Sequence, residues 1–323
     1  MSIYKFSSQE YNVYNKIINA LDNKLTQISL PIFSTDKILN LYDKAISKSK
    51  NGILYVPGKI KVIKKISYMI LYVNTCPEYE KRVTFYSGTE FEIQDIISSA
   101  MKEADNVGRL MNVYKYFVDN FEYEEVDAEN KKFHYPASPF LYKRAVCDGF
   151  SLAFSYVINR VGIECGVVSG YGTKESYNSE HMWNIVRLNG KYYHLDVTWD
   201  ISTKSTGSRF LDYFLIDDAL AMRDHIWKDN AIENCNDLSL EYYMREKLVC
   251  RNHLDVFKLF INKITLREPE IGFRYLGLNG DGMNTDVMLN ILKDAFEKCR
   301  NTYSNVSYGY NDTASTGYIK IDY

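Results

Sequence analysis

The alternation of apolar and polar positions is clearest between residues 147 and 200. Phe150, Ala153, Phe154, Val157, Ile158 and Val161 recur at helical spacing, and Gly162 follows as a stop signal. Three residues before Phe150 stands Cys147, on the same stripe at the first turn. Downstream, "HMWNIVRLNGKYYHLDVTWD" (181–200) reads as two β-rich runs joined by Asn189-Gly190, a pair that favours a type I′ hairpin turn. Around this centre the pattern predicts a helix over 1–22, a strand over 25–33 and a helix from Ser34 or Thr35, with Gly52 beyond its end. Strand-like runs are expected at 53–56, 60–73 and 81–87, and helices at 90–104 and 107–120. A polar loop is expected over 121–139, strands continuing to about 200 and a helical tail to about 263. The segment 270–323 reads strand, helix, strand, strand.

The two ends resemble each other. Aligning "TDKILNLYDKAISKSKN" (35–51) with "TDVMLNILKDAFEKCRN" (285–301) leaves seven of seventeen positions identical. Two readings fit: two ordinary capped helices, or a duplicated β-α-β-β module flanking a central segment. The expected organisation is an α/β module at 1–104, a central core at 105–250 with a helix packed on an antiparallel sheet, and a β-α-β-β module at 251–323. The fold class is α+β.

The hairpin turn fixes a register. It pairs Leu188 with Lys191, Ile185 with His194, Trp183 with Asp196 and His181 with Thr198, which puts His181, Trp183, Ile185, His194, Asp196 and Thr198 on one face. His181 and Asp196 are then diagonal neighbours, about 7–8 Å apart at the backbone and within reach of each other's side chains. A histidine held at one nitrogen by a carboxylate presents the other to a nucleophile in a defined tautomer. Cys147 has two readings. The free N–H groups of a helix N-terminus favour its thiolate, whereas burial would leave an inert thiol. If its helix covers the hairpin face, Cys147, His181 and Asp196 form a triad.

Composition narrows the field. A net charge of −2 over 323 residues, with no basic stripe, argues against a nucleic-acid partner. No apolar run approaches the length that spans a bilayer, so no membrane partner is expected. The N-terminal residues lack an apolar h-region and a small-residue cleavage site, so a cytoplasmic location is expected. The six cysteines form no C-x-x-C pair, so reduced thiols and no zinc knuckle are expected. His225 and His253 lack metal-ligand spacing and His134 reads as a loop residue. His194 is expected to be structural and Cys165 to be packing; Asp200 reads as a hydrogen-bond acceptor behind the site or a turn residue, the turn being favoured. Trp183 could shield the His–Asp pair or simply fill the core. No cofactor and no metal are expected. "GLNGDG" (277–282) reads as a turn, and "GYGTKESYNSE" (170–180) as a loop beside the site.

The segments "AVCDGFSLAF", "HMWNIV", "YYHLDVTWD" and "YFLIDDALAMRDHIW" resemble those of bacterial members of the transglutaminase-like superfamily, which has a papain-like core. The resemblance covers about residues 105–245. It implies Cys147 as nucleophile, His181 as general base and acid, and Asp196 as the orienting group. Met182 stands where the family has alanine, and Ser151 where alanine is common. Ala137-Ser138-Pro139 stand where an aromatic is often found, which passes the oxyanion role to backbone N–H groups near Cys147 or to a side chain such as Tyr142. The implied chemistry is cysteine-dependent acyl transfer on a protein or peptide substrate, with hydrolysis expected. Cross-linking to an amine and a non-catalytic binding module are the alternatives.

Overall fold

The structure, a computed structural model, describes residues 2–58, 60–76, 86–125, 130–174, 177–204, 210–227, 232–277, 282–300 and 303–323. The fold is α+β. Residues 81–85 of the strand expected at 81–87, and most of "GLNGDG", lie outside the described residues; Tyr86–Glu90 is a helical turn.

The cysteine helix spans Cys147–Arg160 and lies against a five-stranded antiparallel sheet. The six stripe residues from Phe150 to Val161 are all buried, and Gly162 takes φ +91° just past the helix end. The strands run in the order His225–Ile226, Glu164–Lys174, Tyr177–Leu188, Lys191–Leu195, Phe214–Ile216. Asn189 and Gly190 both have positive φ, +51° and +80°, as a type I′ turn demands. The expected register holds from Leu188–Lys191 through Ile185–His194, and the ladder ends at Asn184–Leu195.

Beyond Leu195 the chain departs from the predicted strand. Val197–Lys204 is a helix, so His181 does not pair with Thr198. The cause is local capping: Asp196 Oδ1 accepts the Trp199 N–H at 3.1 Å, as an N-cap side chain does. A β-branched, aromatic run reads as strand, and capping chemistry overrides it.

The N-terminal elements are the helix Ser8–Asp22, the strand Gln27–Leu30, the helix Thr35–Lys48 and the hairpin Lys61–Lys64/Met69–Tyr72. Ser34 is the N-cap of the second helix. The strand expected at 53–56 is instead a 3-10 turn at Gly52–Leu54. Buried side chains from Ile3 to Cys235 form one hydrophobic core, so these elements and the central segment pack together. A separate core lies between Cys250 and Ile321.

The two ends share connectivity as well as sequence. Gln27–Leu30, a helix, Lys61–Lys64 and Met69–Tyr72 form a sheet in the order first-third-second, and Glu270–Tyr275, the helix Thr285–Cys299, Asn305–Asn311 and Thr316–Asp322 do the same. All these pairings are antiparallel. The helical tail expected up to 263 is not continuous: its long helices are Val197–Lys204 and His253–Thr265. Between 210 and 250 the chain makes short strands and single helical turns.

Candidate active site

The cysteine helix delivers Cys147 to a cleft of about 880 Å³ whose other lining residues include His181, Met182, His134 and Asp148. The thiol is half-buried. Two hydrogen bonds fix the helix against the histidine strand: the Ser151 hydroxyl donates to the Met182 carbonyl at 2.7 Å, and the Asn184 amide donates to the Ser151 carbonyl at 2.8 Å. Gly149 permits the segment before the helix to cross its first turn, because a Cβ there would lie 2.5 Å from the Phe133 carbonyl oxygen.

His181 Nε2 lies 2.5 Å from Asp196 Oδ2. With Nε2 so engaged, Nδ1 is the ring nitrogen left for sulfur, and Cys147 and His181 line the same cleft. Both His181 and Asp196 are buried. Burial works against the imidazolium, but the Asp196 charge and hydrogen bond, aided by Cys147, raise His181 to about 9. Burial likewise opposes the Asp196 carboxylate, and the charges and hydrogen bonds of His181 and His225 hold it well below the usual carboxylate range.

The aromatic surroundings are dense. Trp183, 1% exposed, stacks on His181 with ring centroids 5.9 Å apart. Its indole N–H donates to His194 Nδ1 at 3.1 Å. Trp199 also packs against His181, with ring centroids 5.2 Å apart. Gly172 makes that approach possible, since a Cβ there would lie 2.7 Å from the Trp199 ring.

Sequence reasoning missed several residues at this site. His225 comes from a short edge strand and places Nε2 3.0 Å from Asp196 Oδ2. His134 is not a bystander, because its Nδ1 lies 2.8 Å from Asp148 Oδ2 at the first turn of the cysteine helix. Tyr142 packs on Phe133. Tyr123 is pushed upward by burial, then by the charges of Cys147 and Asp148. Asp200 is not a turn residue. It is buried in the helix after Asp196 and accepts from Tyr114 Oη at 2.7 Å, Asp212 N at 2.9 Å and Tyr213 N at 3.2 Å. One cleft wall is N-terminal, from Glu10, Asp36, Lys37 and Asp43. Asp43 is pushed up to about 7 by burial, against the Gly58 N–H bond and with the Asp148 charge adding.

Among the described residues two histidine groups, His181–Asp196–His225 and His194–Asp218–Cys235, have donor sets that could invite a metal ion, and their imidazoles are engaged with neighbouring side chains. Trp183 donates to His194 Nδ1, so the neutral ring carries its proton on Nε2, which faces Asp218 Oδ1 at 2.9 Å. Both nitrogens of His225 face carboxylates, Asp224 Oδ1 at 2.6 Å and Asp196 Oδ2 at 3.0 Å.

A family model described as the transglutaminase-like superfamily matches residues 93–197. Residues 93–197 belong to the transglutaminase-like superfamily. The chain is 24% identical over 242 residues to the Kyphoscoliosis peptidase of Mus musculus, covering 65% of this chain and 36% of that protein. It is 27% identical over 163 residues to the Kyphoscoliosis peptidase of Homo sapiens, covering 46% of this chain and 24% of that one. It thus spans about a third of the one relative's length and about a quarter of the other's. Among solved structures, a TGase is similar at 16% identity and a TM-score of 0.31, over 53% of this chain and 50% of that one. The periplasmic domain of TgpA from Pseudomonas aeruginosa is similar at 14% identity and a TM-score of 0.30, over 42% and 55%. The transglutaminase-like match contains Cys147, His181 and Asp196. Among the described residues no helix is long and apolar enough to cross a membrane.

Proposed function

We propose that the chain is a cysteine-dependent acyl-transfer enzyme acting on a peptide or amide bond, with Cys147 as nucleophile, His181 as general base and acid, and Asp196 as orienting group. The observation that carries this reading is the imidazole of His181, bound at Nε2 by Asp196 and neighboured by the Cys147 thiol, on the floor of a cleft. The thiol gives its proton to His181, and the resulting ion pair is the resting form. Sulfur then forms a bond to the carbonyl carbon. The His181 proton passes to the leaving amine as the C–N bond breaks, and a thioester remains. Water attacks the thioester, His181 takes its proton and returns it to the departing thiolate, and a carboxylic acid is released.

The candidate donors to the developing oxyanion are the main-chain N–H groups at the start of the cysteine helix, beside the nucleophile. Hydrolysis is the favoured direction because Cys147 is half-buried and water reaches it. The curated relatives are themselves named peptidases. The test is intact-mass detection of an acyl-enzyme from a library of peptide amides. A mass increment on wild type that is absent from Cys147→Ala is expected, with free acid as the product. Product formed only when an amine is added would reassign the reaction to amine transfer, and no increment with any peptide would overturn the enzymatic reading.

A further inference from the structure

We propose that His225 is a positioning residue of the triad: an imidazolium, bonded to two carboxylates, that locks Asp196 from behind. This rests on the catalytic reading of Cys147, His181 and Asp196.

Asp196 Oδ2 has two imidazole neighbours, His181 Nε2 at 2.5 Å and His225 Nε2 at 3.0 Å. The second nitrogen of His225 lies 2.6 Å from Asp224 Oδ1, and Asp224 Oδ2 accepts the Tyr213 hydroxyl at 2.6 Å. Between two ionised carboxylates the ring donates from both nitrogens and carries a positive charge. His225 is 2% exposed. Its ring is clamped between Trp199 at 4.3 Å and Trp183 at 4.7 Å, the same two indoles that cover His181. Its short strand pairs with Tyr171 and Gly172 at the sheet edge, and the Thr173 N–H donates to the Asp224 carbonyl at 2.8 Å. The titratable or charged groups facing it are Asp196, Asp224, His181 at 5.5 Å, Tyr213 at 5.7 Å and, more distantly, His194.

Two consequences follow for His181. The first concerns direction. Asp196 Oδ1 is fixed by the Trp199 N–H and Oδ2 by His225, so the carboxylate cannot rotate and its remaining lone pair points at His181. The second concerns proton affinity. A second cation on Asp196 divides the carboxylate's attraction between two rings, so His181 can still release its proton to a leaving group. In support, burial opposes protonation of His225, yet its bonds to Asp196 and Asp224 raise it to about 9.

The test compares His225→Asn with His225→Gln in the full chain. Glutamine can place an amide N–H where Nε2 sits, without charge. Asparagine is too short to reach Asp196. The readout is the rate of Cys147 alkylation by iodoacetamide from pH 5 to 10, resolved by peptide mass, with near-UV circular dichroism as a check on packing. His225→Asn is expected to slow alkylation at neutral pH by about ten- to a hundredfold, as a misdirected catalytic group does. His225→Gln is expected to restore most of that rate and to move the alkaline break, near pH 9 in wild type, to higher pH. Wild-type rate and break in both variants would overturn the proposal. So would a natively packed glutamine variant as slow as the asparagine one. His181→Ala run alongside separates the two claims: if it leaves alkylation unchanged, the triad reading itself fails, whereas slow labelling in His181→Ala with no effect at His225 defeats only this inference.

Discussion

The Ser151 hydroxyl donates to the Met182 carbonyl at 2.7 Å, and this bond sets how the cysteine helix seats against the histidine strand. It joins the residue four beyond Cys147 to the residue one beyond His181, so any slide of the helix along the strand breaks it. Both ends are buried, where a hydrogen bond is costly to lose. Ser151→Ala is expected to cost about 1 kcal/mol of stability and to slow turnover, read by urea unfolding together with peptide-amide hydrolysis. Ser151→Cys, which retains a weak donor, should fall between the two.

Gly172 supplies space. A methyl group there would meet the Trp199 ring at 2.7 Å. Gly172→Ala should displace the indole from His181 and His225, blue-shift or quench part of the tryptophan fluorescence, and lower kcat/KM while the far-UV circular dichroism stays native. Unchanged kinetics would show that Trp199 has no part in holding the rings.

The histidine pair gives stability a defined dependence on pH. His181 and His225 both bind their protons more tightly in the folded chain, to about 9 against an ordinary 6.5. Their contribution is therefore complete below about pH 6.5 and is lost as pH rises through about 9. Asp196 is held low, so its contribution is present above the ordinary aspartate value near 3.8 and is lost as pH falls below it. Thermal melts should show a falling Tm between pH 6.5 and 9 in wild type and a shallower fall in His225→Gln. Equal slopes in the two proteins would contradict the assignment of charge to His225.

Much of the centre was legible in the sequence, because its determinants are local. Asn189-Gly190 fixes the hairpin, and the helical stripe brings Cys147 to the sheet. The tract 196–200 misled because β-branched and aromatic residues read as strand, while the Asp196 side chain caps a helix instead. His225 could not be found by spacing, since it lies 29 residues from Asp196 in the chain and meets it only when the edge strand pairs with Tyr171–Gly172. Its sequence signals were the adjacent Asp224, a carboxylate beside an imidazole, and its place in the segment "YFLIDDALAMRDHIW" that carries the family resemblance. The N-terminal cleft wall left no local trace at all, because it arises from packing between distant segments.

The C-terminal elements reach the site through a buried ion cluster. Arg274 Nε donates to Glu241 Oε1 at 3.2 Å, while Asp212 accepts from Tyr243 Oη at 2.6 Å and from Thr316 Oγ1 at 2.9 Å. Asp212 N in turn donates to Asp200, and Asp196 N donates to the Tyr213 carbonyl at 3.1 Å. Arg274→Met leaves Glu241 without its cation and should destabilise the chain by about 3–5 kcal/mol. Denaturant unfolding measures this, and the double variant Arg274→Met/Glu241→Gln should recover part of the loss.

The most direct measurement of the central claim is the site-resolved rate at which iodoacetamide labels Cys147 at pH 6, with half-buried Cys299 in the same molecule as the internal reference. An ion pair with His181 predicts that Cys147 labels at least about tenfold faster than Cys299, because an ordinary thiol is almost wholly protonated at that pH. It also predicts that His181→Ala abolishes the difference. Equal rates for the two cysteines in wild type would contradict the account.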